Sequence, residues 1–573
     1  MEKHTAASND EERSRVELLQ GLQVATSSYS VFLVEMDRQT FTWGRSGNRS
    51  RKTERWVDRL WILGLLSAAL LLFTINLGSP PLLDWSEGAV ALAAREISRA
   101  PVEVWQWFQP KLTGKSYLEE PPLLYLLIAG AYKIAGFNEW TTRLPGAILS
   151  ALSVPLLYGI GREIFPSRQS AIFSSLIYLT FLPVVCLGRL ASVDGVTLCF
   201  AMLMMWSVLR SRRDLRWSIG VGLGLGLIGL SKGILFGLVL LGVALVFLAW
   251  DTPRLLTSLY WWSGFFLGSV PGLAWYAVWL VADPQMFLSL GFMNPSPSHL
   301  ETPYKQQSSP FLYYLIQALK FSVPWLLFCP YGLHRAWENR NWGWAKLVLV
   351  WTSAYVLAIL VMVNKLPWFA LPIYPALALA GGAYLADIWY GPSRQSYPRL
   401  WRIGAIGLSV GAIVACIVFA ILPGVDRSLA VIFGSVALTM ALVAVLLARH
   451  DLQFISILFW GMFISLLLFM TSSYWIWELE AAYPVQEVAA ILRHGTPADQ
   501  TIYASFPSKR PSLKFYSDRL VIPATNSELK RHWKKDQNPY LLLDTKTHKQ
   551  LKLEPFNTVG EAPGWVLITK KPH

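Results

Sequence analysis

Residues 45–77 read RSGNRSRKTERWVDRLWILGLLSAALLLFTINL, with Arg45, Arg49, Arg51, Lys52, Arg55 and Arg59 gathered just before the apolar run 60–77. As a helix rising ~1.5 Å per residue, that run approaches the ~30 Å of a bilayer's hydrocarbon core. Cations flanking a first span favour the cytoplasm, so the N-terminus is expected inside. The preceding residues, 1–56, are polar and lack the apolar centre of a cleavable signal, and they read as a retained tail.

Similar apolar runs recur near 143–161, 168–187, 195–210, 216–231, 233–250, 258–281, 313–330, 345–363, 366–386, 402–422, 428–447 and 453–475. The segment 121–136 opens with Pro121 and Pro122, carries Lys133 and is short. Counting it as a span would move Arg210, Arg212, Arg213 and Arg216 outside, so it reads as a half-inserted helix on the outer side. The expectation is an all-α polytopic membrane protein of about 13 transmembrane helices, covering 57–475. An odd number of spans puts the C-terminus outside. From 476 to 573 the pattern changes to short strands (501–506, 513–516, 520–523, 540–543, 565–569) and helix-like stretches (485–494, 526–535), predicting a small exoplasmic α/β domain.

The composition agrees. In 573 residues, 54% are hydrophobic and only 15% charged, against about 25% charged in an ordinary soluble domain. A net charge of +14 in so apolar a chain points to membrane anchors rather than nucleic acid. Cys186, Cys199, Cys329 and Cys416 all lie in apolar runs and read as packing residues.

Charges at the outer ends of spans are the candidates for chemistry, because such groups are costly in or near hydrocarbon. Asp84 and Glu87 have the spacing of a capping box, with the alternative that one is a carboxylate at the mouth of a cavity, able to act as a general base. The helix following them, with Val90, Ala93, Ala94 and Ile97 on one face, suits the membrane surface. Glu119 and Glu120 favour a helix start at Pro121; two carboxylates could also hold a divalent cation, though two ligands are too few to assign a metal. Arg189 and Asp194 share a short outer loop and could pair with each other. Lys232 and Lys365 recur at equivalent depth and could merely snorkel. Together Arg189, Lys232 and Lys365 put three cations on the outer side, as a phosphate-bearing ligand requires.

Other motifs carry less. Gly224-Leu225-Gly226-Leu227-Ile228-Gly229 matches a dinucleotide fingerprint but lies within a span, where close helix packing explains it. The eight histidines form no clustered ligand set and there is no phosphate-binding loop for ATP.

The order of motifs resembles a known superfamily. Ala94-Arg95-Glu96-Ile97 is followed by Tyr117 to Leu123, Arg143-Leu144-Pro145, Arg189 to Asp194 and Ser231-Lys232-Gly233. Pro310, Tyr313-Tyr314, Lys365-Leu366-Pro367 and Leu371-Pro372-Ile373-Tyr374-Pro375 come later. This series resembles the aminoarabinose transferase and protein mannosyltransferase superfamily, membrane glycosyltransferases of the GT-C fold. The resemblance implies transfer of a sugar from a polyprenyl-phosphate donor to a lipid, glycan or protein acceptor on the exoplasmic face, by inverting direct displacement, in a bacterial inner membrane. Because the family's acid position falls on Ser86, Asp84 or Glu87 would have to serve as the base, unless the acceptor is already an anion; the expected site is then Asp84, Glu87 and Asp194 as catalytic carboxylates, with Arg189, Lys232, Lys365, Glu119, Arg143 and Tyr374 as substrate-binding residues. Three positions depart from the pattern: Ser86 where an acid is expected, Glu120 where a cation is expected, and Gln307 where a histidine is common. They keep open a second reading, a non-catalytic protein that binds or moves lipid-linked sugars. A secondary transporter, the third reading, lacks evident inverted halves.

Overall fold

In a computed structural model, the residues described are 48–84, 86–99, 111–112, 115–116, 121–285, 287, 321–361, 367–391, 397–422, 426–476, 485–506 and 510–570. The chain divides into two compact units, residues 1–63 and 64–573, at a boundary inside the first helix. That helix, α1, runs Asn48–Thr74. The following helices are α2 (Gly88–Arg99), α3 (Leu123–Ala135), α4 (Glu139–Ile164), α5 (Arg168–Leu179), α6 (Leu182–Arg189), α7 (Val193–Ser211), α8 (Ser218–Lys232), α9 (Ile234–Asp251) and α10 (Leu259–Ala282). Then come α11 (Cys329–Glu338), α12 (Gly343–Val361), α13 (Tyr374–Tyr390), α14 (Arg399–Ile421), α15 (Ser428–Ala448) and α16 (Gln453–Thr471).

Among the described residues, 10 helices are long and apolar enough to cross a membrane, or 11 if a bent pair counts as one span. The difference from thirteen has physical causes. The run 168–187 is the bent pair, α5 and α6, meeting at 58°. The run 216–231 becomes α8, only 15 residues long. Most of 313–330 lies outside the described residues. Helix α3, 13 residues, reaches ~20 Å and falls short of a bilayer crossing.

Small residues let the helices approach closely. A Cβ on Gly222 would overlap the carbonyl of Phe265, one on Gly224 would strike Met204, and Gly272 lies against Gly226. The glycine run of α8 is therefore a packing surface for α7 and α10, as the sequence suggested.

The C-terminal segment contains α17 (Val485–Gly495), β3 (Ile502–Ala504), α18 (Pro511–Ser517), β4 (Val521–Pro523), α19 (Asn526–Lys535), β5 (Tyr540–Asp544), α20 (Thr545–Leu551), β6 (Phe556–Ala562) and β7 (Trp565–Lys570). A small hairpin, β1 (Lys111–Leu112) and β2 (Lys115–Ser116), precedes them in the chain. The five-stranded sheet has the order β4-β3-β5-β7-β6, parallel across β4, β3 and β5 and antiparallel across β5, β7 and β6. Two apolar layers cover its faces, one from Val488, Ala489 and Leu492 of α17, the other from Leu529 and Trp533 of α19. Two local expectations change. Residues 513–516 form part of α18 rather than a strand, because Pro511 starts a helical turn and Leu513 and Tyr516 fall on one helical face. Strand β6, half-exposed along much of its length, was not anticipated.

Candidate functional site

The end of the helix bundle that carries the 77–87 loop is organised by a buried ion pair. Arg143, near the start of α4, donates from Nε to Glu87 Oε1 at 2.8 Å and from Nη2 to Glu87 Oε2 at 2.6 Å. Its remaining N–H groups go to the carbonyls of Leu77 and Pro80 from Nη1 and of Pro81 from Nη2, all within 2.9 Å. A guanidinium has five N–H donors, and all five are taken. Glu87 is equally committed: Oε1 also accepts from the Ala191 amide at 2.9 Å and Oε2 from the Leu83 amide at 3.0 Å. Both side chains have zero exposure. This leaves Glu87 no lone pair for a substrate proton and Arg143 no N–H for a ligand. Together they fasten the segment between α1 and α2 to α4 and to the link between α6 and α7.

Asp84 does not form a capping box with Glu87, because α2 begins at Gly88, one residue beyond Glu87. Its carboxylate accepts from Arg510 Nη1 at 3.0 Å and from Ser512 Oγ at 2.6 Å. Burial pushes its pKa above the ordinary 3.8, opposed by the bonds from Ser512 and Arg510. The surrounding contacts are of one kind: α18 lies against α2, the start of α4 and the segment before α2. Arg95 donates to the Phe515 carbonyl at 2.9 Å and pairs with Asp518 at 3.0 Å. Tyr516 donates to Glu139 at 2.9 Å and accepts from the Leu82 amide at 2.9 Å. A Cβ on Gly88 would strike the Ser512 backbone.

Arg189, the last residue of α6, is fully buried. It donates to the Leu72 carbonyl at 2.7 Å and the Ile75 carbonyl at 2.6 Å, at the open end of α1. A cation there meets carbonyls that the helix leaves unpaired. Its guanidinium also lies 4.5 Å from the ring centre of Trp475, which Arg143 approaches at 5.4 Å. Arg189 does not pair with Asp194.

Asp194 pairs with Lys232 instead. Asp194 sits in the first turn of α7 and Lys232 in the last turn of α8, each end matching its charge to the local helix dipole. The two side chains are 12% and 9% exposed. Phe236 and Phe369 place their rings 4.8 Å and 5.2 Å from the ammonium. Thr197 and Ser231 hydroxyls meet at 3.1 Å beside them. On the next turn, Trp275, Tyr276 and Trp279 pack with Leu230 and Ile234. This corner joins α7, α8, α9 and the segment leading to α13. It is a low-dielectric cation with one acid partner among the described residues and an aromatic wall, a setting able to bind an anionic group held against an apolar tail.

The structure therefore separates the expected cations. Arg189 and Arg143 belong to the cluster around Trp475, while Lys232 stands with Asp194. Tyr374, at the start of α13, is buried against Phe181. Glu119 and Lys365, and with them Glu120, Gln307 and Pro310, lie outside the described residues. No group of three or more His, Cys, Asp or Glu able to hold a metal occurs among the described residues. Sequence reasoning missed Trp475 and the docking helix α18. The two tryptophans at 475 and 477, at the very end of the last apolar run, were the available signal.

The fold is that of an integral membrane protein of GT-C architecture. Residues 119–280 match the family described as dolichyl-phosphate-mannose-protein mannosyltransferase. An undecaprenyl phosphate-alpha-4-amino-4-deoxy-L-arabinose arabinosyl transferase of Pseudomonas fluorescens is 28% identical over 339 residues, 58% of this chain and 61% of that protein. The chain thus spans about three-fifths of the length of that curated relative. ArnT from Cupriavidus metallidurans, solved bound to undecaprenyl phosphate, superposes with a TM-score of 0.69 at 19% identity, covering 90% of this chain and 99% of that one. The oligosaccharyltransferase of Archaeoglobus fulgidus gives 0.50 at 13% identity, over 85% and 70%.

Proposed function

We propose that the chain is a glycosyltransferase that moves a sugar from a polyprenyl-phosphate donor to a lipid, glycan or protein acceptor. The observation that supports this most is the secluded Lys232–Asp194 pair with its aromatic wall, in a fold shared with a protein that binds undecaprenyl phosphate. In the reaction an acceptor oxygen attacks the anomeric carbon as the bond from that carbon to the phosphate oxygen breaks. The configuration inverts, and the polyprenyl phosphate leaves as an anion. Lys232 stabilises the charge that builds on the leaving oxygen, in a site where water screens little. Asp194 holds the ammonium in place and, with Oδ2 accepting no hydrogen bond among the described residues, is the better placed of the described carboxylates to take a hydroxyl proton. A phosphate acceptor would need no base.

Glu87, Arg143 and Arg189 are assigned to the scaffold that keeps this corner in register, and Asp84 to holding the C-terminal segment. The outer ends of α7 and α8 face the exoplasm, with the N-terminus cytoplasmic and the C-terminal domain periplasmic in a bacterial inner membrane. The cations of the other face, Arg210, Arg212 and Arg213, agree with that orientation. The test is release of polyprenyl phosphate from an undecaprenyl-phosphate-linked aminoarabinose donor, or another donor of that class, by membranes carrying the protein. Loss of release on Lys232→Ala at unchanged protein level supports the reading; undiminished release overturns the site. Donor retention without any release points instead to a binding protein.

A further inference from the structure

On the face opposite the C-terminal sheet, a cavity of about 300 Å³ is lined by Tyr397, Pro398, Arg399, Arg402, Leu447 and His450. The chain path fixes the face. Helix α16 ends where the Thr471 carbonyl accepts from Asn76, beside the outer loop, so its start near Phe454, which touches Tyr397, lies a helix length away. Arg399 and Arg402 are one turn apart on α14 and so share a side of the helix. Both are exposed, as is His450, whose left-handed backbone at φ 58° turns the chain out of α15. Tyr397 is fixed between Trp401, at 6.2 Å, and the His450 ring, at 5.4 Å.

Among the described residues, these cations have no ion-pair partner, and the acid felt at the cavity is Asp451, whose charge acts on Tyr397. On the same face, Arg210 and Arg213 pair with Glu163, and Arg212 and Lys346 pair with Asp251. Among the described residues, no carboxylate forms an ion pair with Arg399, Arg402 or His450. Asp451, the nearest acid in sequence, uses Oδ1 to accept the Gln453 amide. Directly along α14 from Arg402, Ile403, Ile406 and Val410 are 62%, 48% and 54% exposed and form a stripe at helical spacing. A headgroup in the cavity would therefore lie at the foot of an apolar track.

We infer that this cavity binds the phosphate of an anionic phospholipid from the leaflet opposite the C-terminal domain, with Arg399 and Arg402 gripping the phosphate and the acyl chain lying on Ile403, Ile406 and Val410. Basic pockets among membrane helices recognise such headgroups through charge-assisted hydrogen bonds. The apolar stripe is what favours a lipid over free phosphate.

The full-length protein, placed in bilayers of phosphatidylcholine with a minor fraction of phosphatidylglycerol, can be extracted and weighed intact by native mass spectrometry. Wild type is expected to retain phosphatidylglycerol preferentially, and Arg399→Gln with Arg402→Gln to lower that retention by roughly tenfold or more. Millimolar inorganic phosphate should not displace it. Equal retention by the double variant, or displacement by inorganic phosphate, overturns the proposal. Should the double variant fold poorly, Ile406→Gln, which leaves both arginines in place, must still reduce retention; no change there also overturns it.

Discussion

Glu87 and Arg143 stand 56 residues apart in the chain, yet they form a two-pronged ion pair from which neither side chain has any hydrogen-bonding capacity left over. Such a pair contributes little net stability compared with apolar packing, but breaking it strands a buried charge. Its value is geometric: one carboxylate gathers the segment between α1 and α2, α4 and the α6–α7 link at a single point.

Arg143→Lys keeps the charge but cannot fill two carboxylate oxygens and three carbonyls. With three donors for five acceptors, the lysine leaves two buried acceptors unmet at roughly 1–3 kcal/mol each, read as a large drop in thermal midpoint in detergent. Glu87→Gln should destabilise the protein too, because an amide NH2 would face the donors that the carboxylate accepts. If either variant kept wild-type stability while losing activity, the scaffold assignment would be wrong.

At the Lys232–Asp194 corner, the two single variants Lys232→Met and Asp194→Ala should each lower donor turnover by about a hundredfold or more. Stability separates the pair from its chemistry. Lys232→Met with Asp194→Ala should be more stable than Asp194→Ala alone, since the double change leaves no stranded charge. Comparison of thermal midpoints across the three proteins checks this.

Asp518 predicts a pH dependence of docking. Partial burial pulls its carboxyl up, and Arg95 and Arg99 more than reverse this, leaving it below the ordinary 3.8. A depressed carboxylate stabilises the folded arrangement above the unfolded value and loses that contribution as pH falls through the folded one. Protection of the α18 amides, corrected for the intrinsic exchange rate at each pH, should therefore fall as pH drops from about 3.8 through the lower folded value, and Asp518→Asn should show weaker docking at neutral pH with most of that acid response removed. An unchanged acid response in the variant would assign it elsewhere.

Asp84 tests the other end of the same contact. Asp84→Ala leaves Arg510 without its acid and Ser512 without an acceptor, so protease cleavage near α18 should increase several-fold, at roughly 1–2 kcal/mol. Activity falling with no change in cleavage would return Asp84 to the list of reacting groups.

Much of this architecture is legible in the sequence, and the reasons differ by element. The spans show because hydrocarbon demands long apolar runs, and the packing role of the glycines in α8 shows because they fall inside one. The bent pair α5–α6 reads as a single run because Thr180 and Pro183 are too few polar or breaking residues to interrupt its hydropathy. Helix α18 reads as a strand because seven residues are too short to display a period. The partner of each charge is hidden for a different reason. Arg189 and Asp194 are neighbours in sequence, yet one turns back to the carbonyls of α1 and the other forward to Lys232, and only the packing of distant helices decides that.

The 58° turn between α5 and α6 works as a ruler for the cation at its tip. Were the two helices continuous, the eight residues of α6 would extend the rod by about 12 Å and carry Arg189 past the carbonyls that receive it. One residue inserted at the elbow would swing the guanidinium by about 100° around the helix axis. The elbow, a place with no chemistry of its own, is thus among the least tolerant of length change in the protein.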